Sequence, residues 1–420
     1  MLDLRMECLG ERLSSVKALT DVLATADRAL VDNAATAAGS LPSLERCADV
    51  SMLRAVIRPP DDPGKRAEVA RLREDVAKVS ALAAAGRCDQ ATKIGAPVRE
   101  AAGRLAYRPL EAEIAYALGR LIDTCFDTKQ ALSDLEDAVM AAEASRHDEI
   151  AIDASACLAL AFSDRTHNAQ MGRHWIRHGE AILARFPDHP ALEARIAASR
   201  GAVLAAEGRY EDAVKDERRA MAIQESLFGP DSLEVAMSAN NAANYLHELG
   251  RNEEAAAIMG RSVAIFVKVF GEESGRVAVT GLNESEILTS LGQFEAARTR
   301  IAKARTALER EDAGSFAIGY ALLDKGKLEL AEGNARVAVA TLEESLSLMG
   351  TQDPRWTAEA RFALARAIWQ SAPTKRKRAI ELSRSARDTI ADKPDAAGLA
   401  RAIAAWEREH VPAPGAGDRG

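Results

Sequence analysis

Along much of this chain the apolar residues fall three or four positions apart, which places them on one side of a helix. Ala213, Ala220, Ile223 and Leu227 are one such set. These helical stretches come in pairs, and the pairs repeat. EGRYEDAV (207–214) is echoed by LGRNEEAA (249–256) and LGQFEAAR (291–298), each 42 residues after the last. The small residue closing the phrase also marks Ala91, Ala131, Gly172, Ala213, Ala255, Ala297, Ala338 and Ala379, in steps of 40, 41, 41, 42, 42, 41 and 41. A period of this size predicts a row of stacked supersecondary units.

Other positions keep the same step: Leu204, Leu246 and Leu288; Ile223 and Ile265; Phe228-Gly229 and Phe270-Gly271; Val235-Ala236 and Val277-Ala278. A glycine in mid-unit (Gly208, Gly250, Gly292) and Gly-Pro, Gly-Glu or Asp-Pro at unit ends (229, 271, 353) punctuate two helices per unit. The glycine ends helix A in a left-handed turn, the aromatic Tyr210 or Phe294 plugs the angle, and the alanine lets helix B cross closely.

The pattern with Leu118-Gly119 in helix A, G-x-[YF]-x-x-A at the turn and Ala138, Ala220, Ala304 or Ala386 seven residues on resembles the tetratricopeptide repeat. The 42-residue length and the F-G-x-[DE] links are similar to the long-helix variant of kinesin light chains, although no repeat carries the family's helix A tryptophan. The resemblance implies an all-α fold, a right-handed α-solenoid of about eight tetratricopeptide-like helix pairs with a helical N-terminal cap. The expected layout is a leader and cap over 1–63, the array over 64–392, a capping helix over 393–409 closed by Trp406, and a disordered tail over 410–420.

Composition agrees with helices. Hydrophobic residues make up 47% of the chain but aromatics only 4%, so alanine and leucine dominate over strand formers. The net charge of −8 argues against a nucleic-acid or anionic-membrane partner. Five cysteines (Cys8, Cys47, Cys88, Cys125, Cys157) form no CxxC pair and are odd in number, so they read as reduced thiols packed as small apolar residues. With an acidic N-terminal stretch and no run of about 18 apolar residues, a cytoplasmic location is expected.

The leader, with MECLGER (6–12), ADRALVDNA (26–34), LPSLERCAD (41–49) and RPPDDP (58–63), resembles the segment joining kinase to repeats in myxobacterial-type serine/threonine protein kinases. The catalytic motifs of such a kinase are absent: there is no VAIK-like lysine, HRD, DFG or APE. The chain therefore reads as noncatalytic. The resemblance implies either a stand-alone module in bacterial signalling or the regulatory half of a kinase whose catalytic domain is elsewhere. A peptide-sensing transcriptional regulator is a third reading, which would need a DNA-reading helix within residues 1–63.

Several motifs mislead. GAGDRG (415–420) spells a nucleotide loop without the flanking strand and helix. Ser14 and Lys17 match one element of a penicillin-binding site whose companions are missing. His174 and His178 are spaced for a metal, with His167 or Glu180 as a third ligand, yet nothing converges from a second element. The basic run Lys375–Arg378 opens a helix and suits a solvated face or an acidic partner. No cofactor is implied.

The family's binding surface is the inner wall lined by helix A. Asn241 and Asn283 occupy one register there, with Ser199 and Asp324 at equivalent places. Asn240, Asn244, Met237, Glu286, Tyr320 and Lys327 are the neighbouring candidates. An amide offers donor and acceptor together, so it can hold a peptide backbone whatever the side chains. The asparagines serve either such a protein or peptide ligand or bonds within the array itself. Homo-oligomerisation stays open.

Overall fold

The computed structural model describes residues 2–25, 28–122, 128–185, 188–310 and 314–411. Among these, every regular element is a helix, and consecutive helices lie side by side in pairs. The chain divides into two units, the first Met1–Val203 with Ala222–Leu227 and the second Leu204–Met221 with Phe228–Gly420.

Unit 1 begins with the leader helices Leu2–Leu23 and Arg28–Gly39 and two short turns, Glu45–Ala48 and Val50–Ala55. The pairs Pro63–Ala84/Cys88–Leu105, Arg108–Gly119/Thr128–Ser145 and Asp148–Asp164/Ala169–Leu183 follow. The helices Pro190–Ala206 and Tyr210–Phe228 contain the division. Unit 2 continues with Leu233–Glu248/Asn252–Phe270, Gly275–Ser290/Phe294–Arg310, Ser315–Ala331/Ala335–Met349 and Pro354–Ser371/Arg376–Thr389, and ends in Ala397–His410.

The repeated phrase folds as a hinge. Gly250 has φ 75°, the Arg251 N–H donates to the Leu246 carbonyl at 2.9 Å, and the Gly250 N–H donates to His247 at 2.8 Å. Gly292 repeats this with Gln293 donating to Leu288 at 2.9 Å. A Cβ on either glycine would meet nothing within 4 Å, so backbone conformation rather than space demands glycine there. New helices start on oxygen caps: Ser232 accepts from Val235 N–H, and Asp353 accepts from Arg355 and Trp356 N–H ahead of Pro354.

All eight small marks are buried. Gly172 shows why: a Cβ there would stand 2.3 Å from Ser163 Oγ and 3.1 Å from the Ala159 carbonyl oxygen. Seven residues past a mark, Ser262 and Ser345 donate to the helix A carbonyls of Ala236 and Gly319, both at 2.7 Å. Four residues past a mark, Leu135, Ile176, Met259, Ile301 and Leu342 are buried. Each such side chain contributes about 1.5–3 kcal/mol on leaving water.

The leader docks on unit 1. Ala18, Leu19 and Ala37 cluster with Ala81, and Arg73 pairs with Glu113 at 2.8 Å, Glu11 at 2.5 Å and Glu7 at 3.6 Å. In unit 2, Trp406 meets Trp369 and Phe362 edge-on at 5.5 and 6.1 Å, covering the last pair.

The cysteine reading is corrected. Cys8 and Cys47 form a disulfide with Cα atoms 5.5 Å apart, and Cys88 is disulfide-bonded as well. Cys157 lies outside any disulfide. Residues 39 apart become neighbours because the leader folds back on itself, which spacing alone does not reveal. The cysteines therefore give no argument for a reducing compartment.

The remaining motifs are absorbed by structure. His178 Nδ1 lies 3.0 Å from Ser155 Oγ, and among the described residues no three His, Cys, Asp or Glu side chains are placed to hold a metal. In the basic run, Arg376 lies 4.5 Å over the Trp369 ring and Arg378 pairs with Glu343 at 2.7 Å. GAGDRG falls outside the described residues. No described helix is long and apolar enough to cross a membrane.

Two substitutions separate the glycine roles. Gly292→Ala should destabilise by about 1 kcal/mol through backbone strain alone. Gly172→Ala, which must push helices apart, should cost about 2 kcal/mol or more. Urea unfolding of both variants beside the parent checks the order.

Candidate functional site

In unit 2 the first helices of successive pairs present equivalent residues one repeat apart: Met237, Val279 and Tyr320; Asn241, Asn283 and Asp324; Asn244, Glu286 and Lys327. The structure joins most of these into two connected groups.

The first group is a hydrogen-bonded ladder. Tyr320 Oη donates to Asn283 Oδ1 at 3.4 Å, Asn283 Nδ2 to Asn240 Oδ1 at 3.0 Å, Asn240 Nδ2 to Asn241 Oδ1 at 3.4 Å, and Asn241 Nδ2 to Glu217 Oε1 at 3.0 Å. Every donor points the same way, towards Glu217. Asn240, Asn241, Asn283 and Tyr320 are half-buried. Met237 and Val279 stand exposed in the register next to the amides. Asn244 shares the helix with Asn240 and Asn241, is half-buried and takes no place in the ladder.

Glu217 was not anticipated. It sits on Tyr210–Phe228 at 0% exposure, four residues past the mark Ala213, where other units carry Leu135, Ile176, Met259, Ile301 or Leu342. A carboxyl at a core position is therefore the legible signal. Oε2 has no partner. Burial pushes its pKa up to about 8, opposed by hydrogen bonds from Asn241 and Ser238 and helped by Asp216.

The second group is ionic. The Lys327 ammonium bonds both Glu286 and Glu359. Burial alone would discharge Lys327, but Glu286, Glu359 and Asp324 together hold it well above its ordinary value. Asp324, 2% exposed, is pushed well up by burial and then by Glu286. Burial also presses on Glu286, yet Lys327 wins and keeps it ionised. Beside this cluster Arg355 pairs with Glu248 and lies 5.0 Å over the Trp356 ring, which meets Tyr320 edge-on at 4.7 Å. Sequence reading missed Glu248, Arg355 and Glu359, since single charged residues on a helix carry no periodic signal.

Unit 2 also closes on itself. Tyr210 Oη donates to the Asp395 carbonyl at 2.7 Å, and a Cβ on Gly208 would stand 2.9 Å from the Pro394 carbonyl oxygen. Glu248 and Arg355 span 107 residues of sequence. The early and late segments of unit 2 are thus brought into direct contact. Each ladder amide spends one N–H and one oxygen lone pair on the array and keeps one more of each.

Glu217 gives a pH test. Folding raises its proton affinity from an ordinary value of 4.5 to about 8. Between those values the folded chain holds a proton that the unfolded chain releases. Its stabilising effect is thus complete below pH 4.5 and lost as pH rises to about 8. Glu217→Gln should remove that decline, so its stability relative to the parent should grow with pH to a few kcal/mol (order of magnitude) at alkaline pH. Urea midpoints of both proteins across this range check it.

Residues 192–268 match the tetratricopeptide repeat family. No curated protein matches the chain. Among solved structures, a Rap protein complexed with Competence and Sporulation Factor is 13% identical and aligns over 81% of this chain and 96% of its own, with a TM-score of 0.55. The apo form of RapI is 14% identical over 81% of this chain and 92% of its own, at 0.53. NprR in complex with its cognate peptide NprX is 11% identical over 69% and 86%, at 0.49. The chain is thus an all-α array of helix pairs, matching the tetratricopeptide repeat over residues 192–268 and sharing the fold of the Rap proteins over 81% of its length.

Proposed function

We propose that this chain is a noncatalytic interaction module whose unit 2 holds an extended peptide or protein segment against its inner face. The observation that carries this reading is the ladder from Tyr320 to Glu217, which fixes Asn240, Asn241 and Asn283 in set orientations while leaving each a donor and an acceptor. Fixed amides meet a peptide backbone without first having to be ordered, which favours binding. The Rap protein solved with Competence and Sporulation Factor and the match to the repeat family support an interaction role. Glu286, Asp324 and Lys327 would face the ligand's side chains, with Asn244 beside them. The binding part falls within the array 64–392, and the segments 1–63 and 393–409 serve as its caps.

The leader's resemblance to myxobacterial-type kinases supports a bacterial signalling role beside a serine/threonine kinase, as its partner or its regulatory half. An in-frame glycine-rich loop with HRD and DFG motifs in the DNA ahead of Met1 would distinguish the second case. Absence of those motifs there removes it.

A random peptide library displayed on phage tests the groove. The intact chain should enrich binders of about micromolar affinity, near −8 kcal/mol. Asn241→Ala with Asn283→Ala should weaken the selected peptides about tenfold or more, two hydrogen bonds being worth about 1 kcal/mol each. Undiminished binding by a double variant with parental circular dichroism sinks the assignment.

A further inference from the structure

The helix Leu2–Leu23 has two faces. Cys8, Ala18 and Leu19 are buried on the side that docks on unit 1. The other side carries Leu2, Met6, Leu9, Leu13 and Val16, exposed by 72, 58, 42, 70 and 45%. Five of the 12 most exposed large apolar residues described in the chain thus lie on one face of one helix. Single exposed leucines need no explanation, but a contiguous stripe does.

The stripe has a specific rhythm. Its residues are 4, 3, 4 and 3 apart, the alternation of a two-helix seam, whereas the helices inside the array follow a broader pattern. A single turn of the seam would be chance; here it persists over four turns. It therefore fits another helix carrying the same rhythm.

The flanking charges select that helix. Arg5 reaches the Ala48 carbonyl at 3.5 Å and Glu7 pairs with Arg73 at 3.6 Å, so both serve the chain's own fold. Asp3 and Lys17, exposed along the seam's outer edge, have no ion-pair partner among the described residues. They stand seven residues either side of Gly10, where a Cβ would meet nothing within 4 Å. Turned end for end about Gly10, a second copy of the helix brings its Lys17 to Asp3 and its Asp3 to Lys17. A parallel copy would instead set Lys17 beside the other copy's Arg12, cation against cation.

We propose that this face pairs antiparallel with the same face of a second copy of the chain, across a two-fold axis at Gly10. The contact is self-complementary, as a two-fold interface must be. One seam of this length buries well under the roughly 1,600 Å² of a standard interface, so the dimer is reversible and depends on concentration.

The full chain, studied by light scattering and sedimentation, tests this. At concentrations on the order of 100 µM the parent should be a dimer that dissociates on dilution. Leu9→Ser with Leu13→Ser, which alters only exposed positions, should give a monomer with an unchanged melting temperature. Asp3→Lys should weaken the dimer about fivefold, and Asp3→Lys with Lys17→Asp should restore it, because two symmetric charge pairs are exchanged. A monomeric parent, a double serine variant that still dimerises, or a charge-swapped variant no tighter than Asp3→Lys would each overturn the proposal.

Discussion

Each pair of helices meets at one small side chain, and that close approach is the contact on which the rest of the molecule is built. With a Cβ or less at the crossing, helix B comes near enough for Ser262 and Ser345 to reach the backbone of helix A. That proximity fixes the angle of the pair. The angle decides which residues look into the inner face, and the apolar residues four places on then fill the space between neighbouring pairs. A pair cannot bury its apolar side alone, so stability comes from leaning on the next.

Against this apolar background the polar interior of unit 2 is a deliberate departure. Glu217 takes a position that other units give to leucine, isoleucine or methionine, at the full cost of desolvating a carboxyl. Its Oε1 ends the ladder, so the amides above it have one preferred orientation rather than several. In the Lys327 cluster the ammonium bonds Glu286 and Glu359 and holds Glu286 ionised, whereas burial drives Asp324 towards its protonated form. Buried polar networks of this kind specify geometry more than they add stability.

Much of this was legible in the residue pattern because repeats write tertiary contacts in local spacing. The marks from Ala91 to Ala379, the hinge glycines and the asparagine register are each one repeat apart, and the structure places them accordingly. Trp406 was readable as a lone large aromatic on a terminal helix. What escaped depends on residues that only folding brings together. Arg355 finds Glu248 across 107 positions, and the Cys8–Cys47 bond follows from the leader doubling back. Glu217 lay between these cases: its register was visible, but its partners were not.

The bond between Tyr210 and the Asp395 carbonyl ties the start of unit 2 to the segment before its last helix. In the function proposed above, a guest segment held by unit 2 would be enclosed by this bond, so its entry and exit would both require the bond to open. Association and dissociation would then share one opening step. Closure of this sort lengthens residence without any additional contact to the guest.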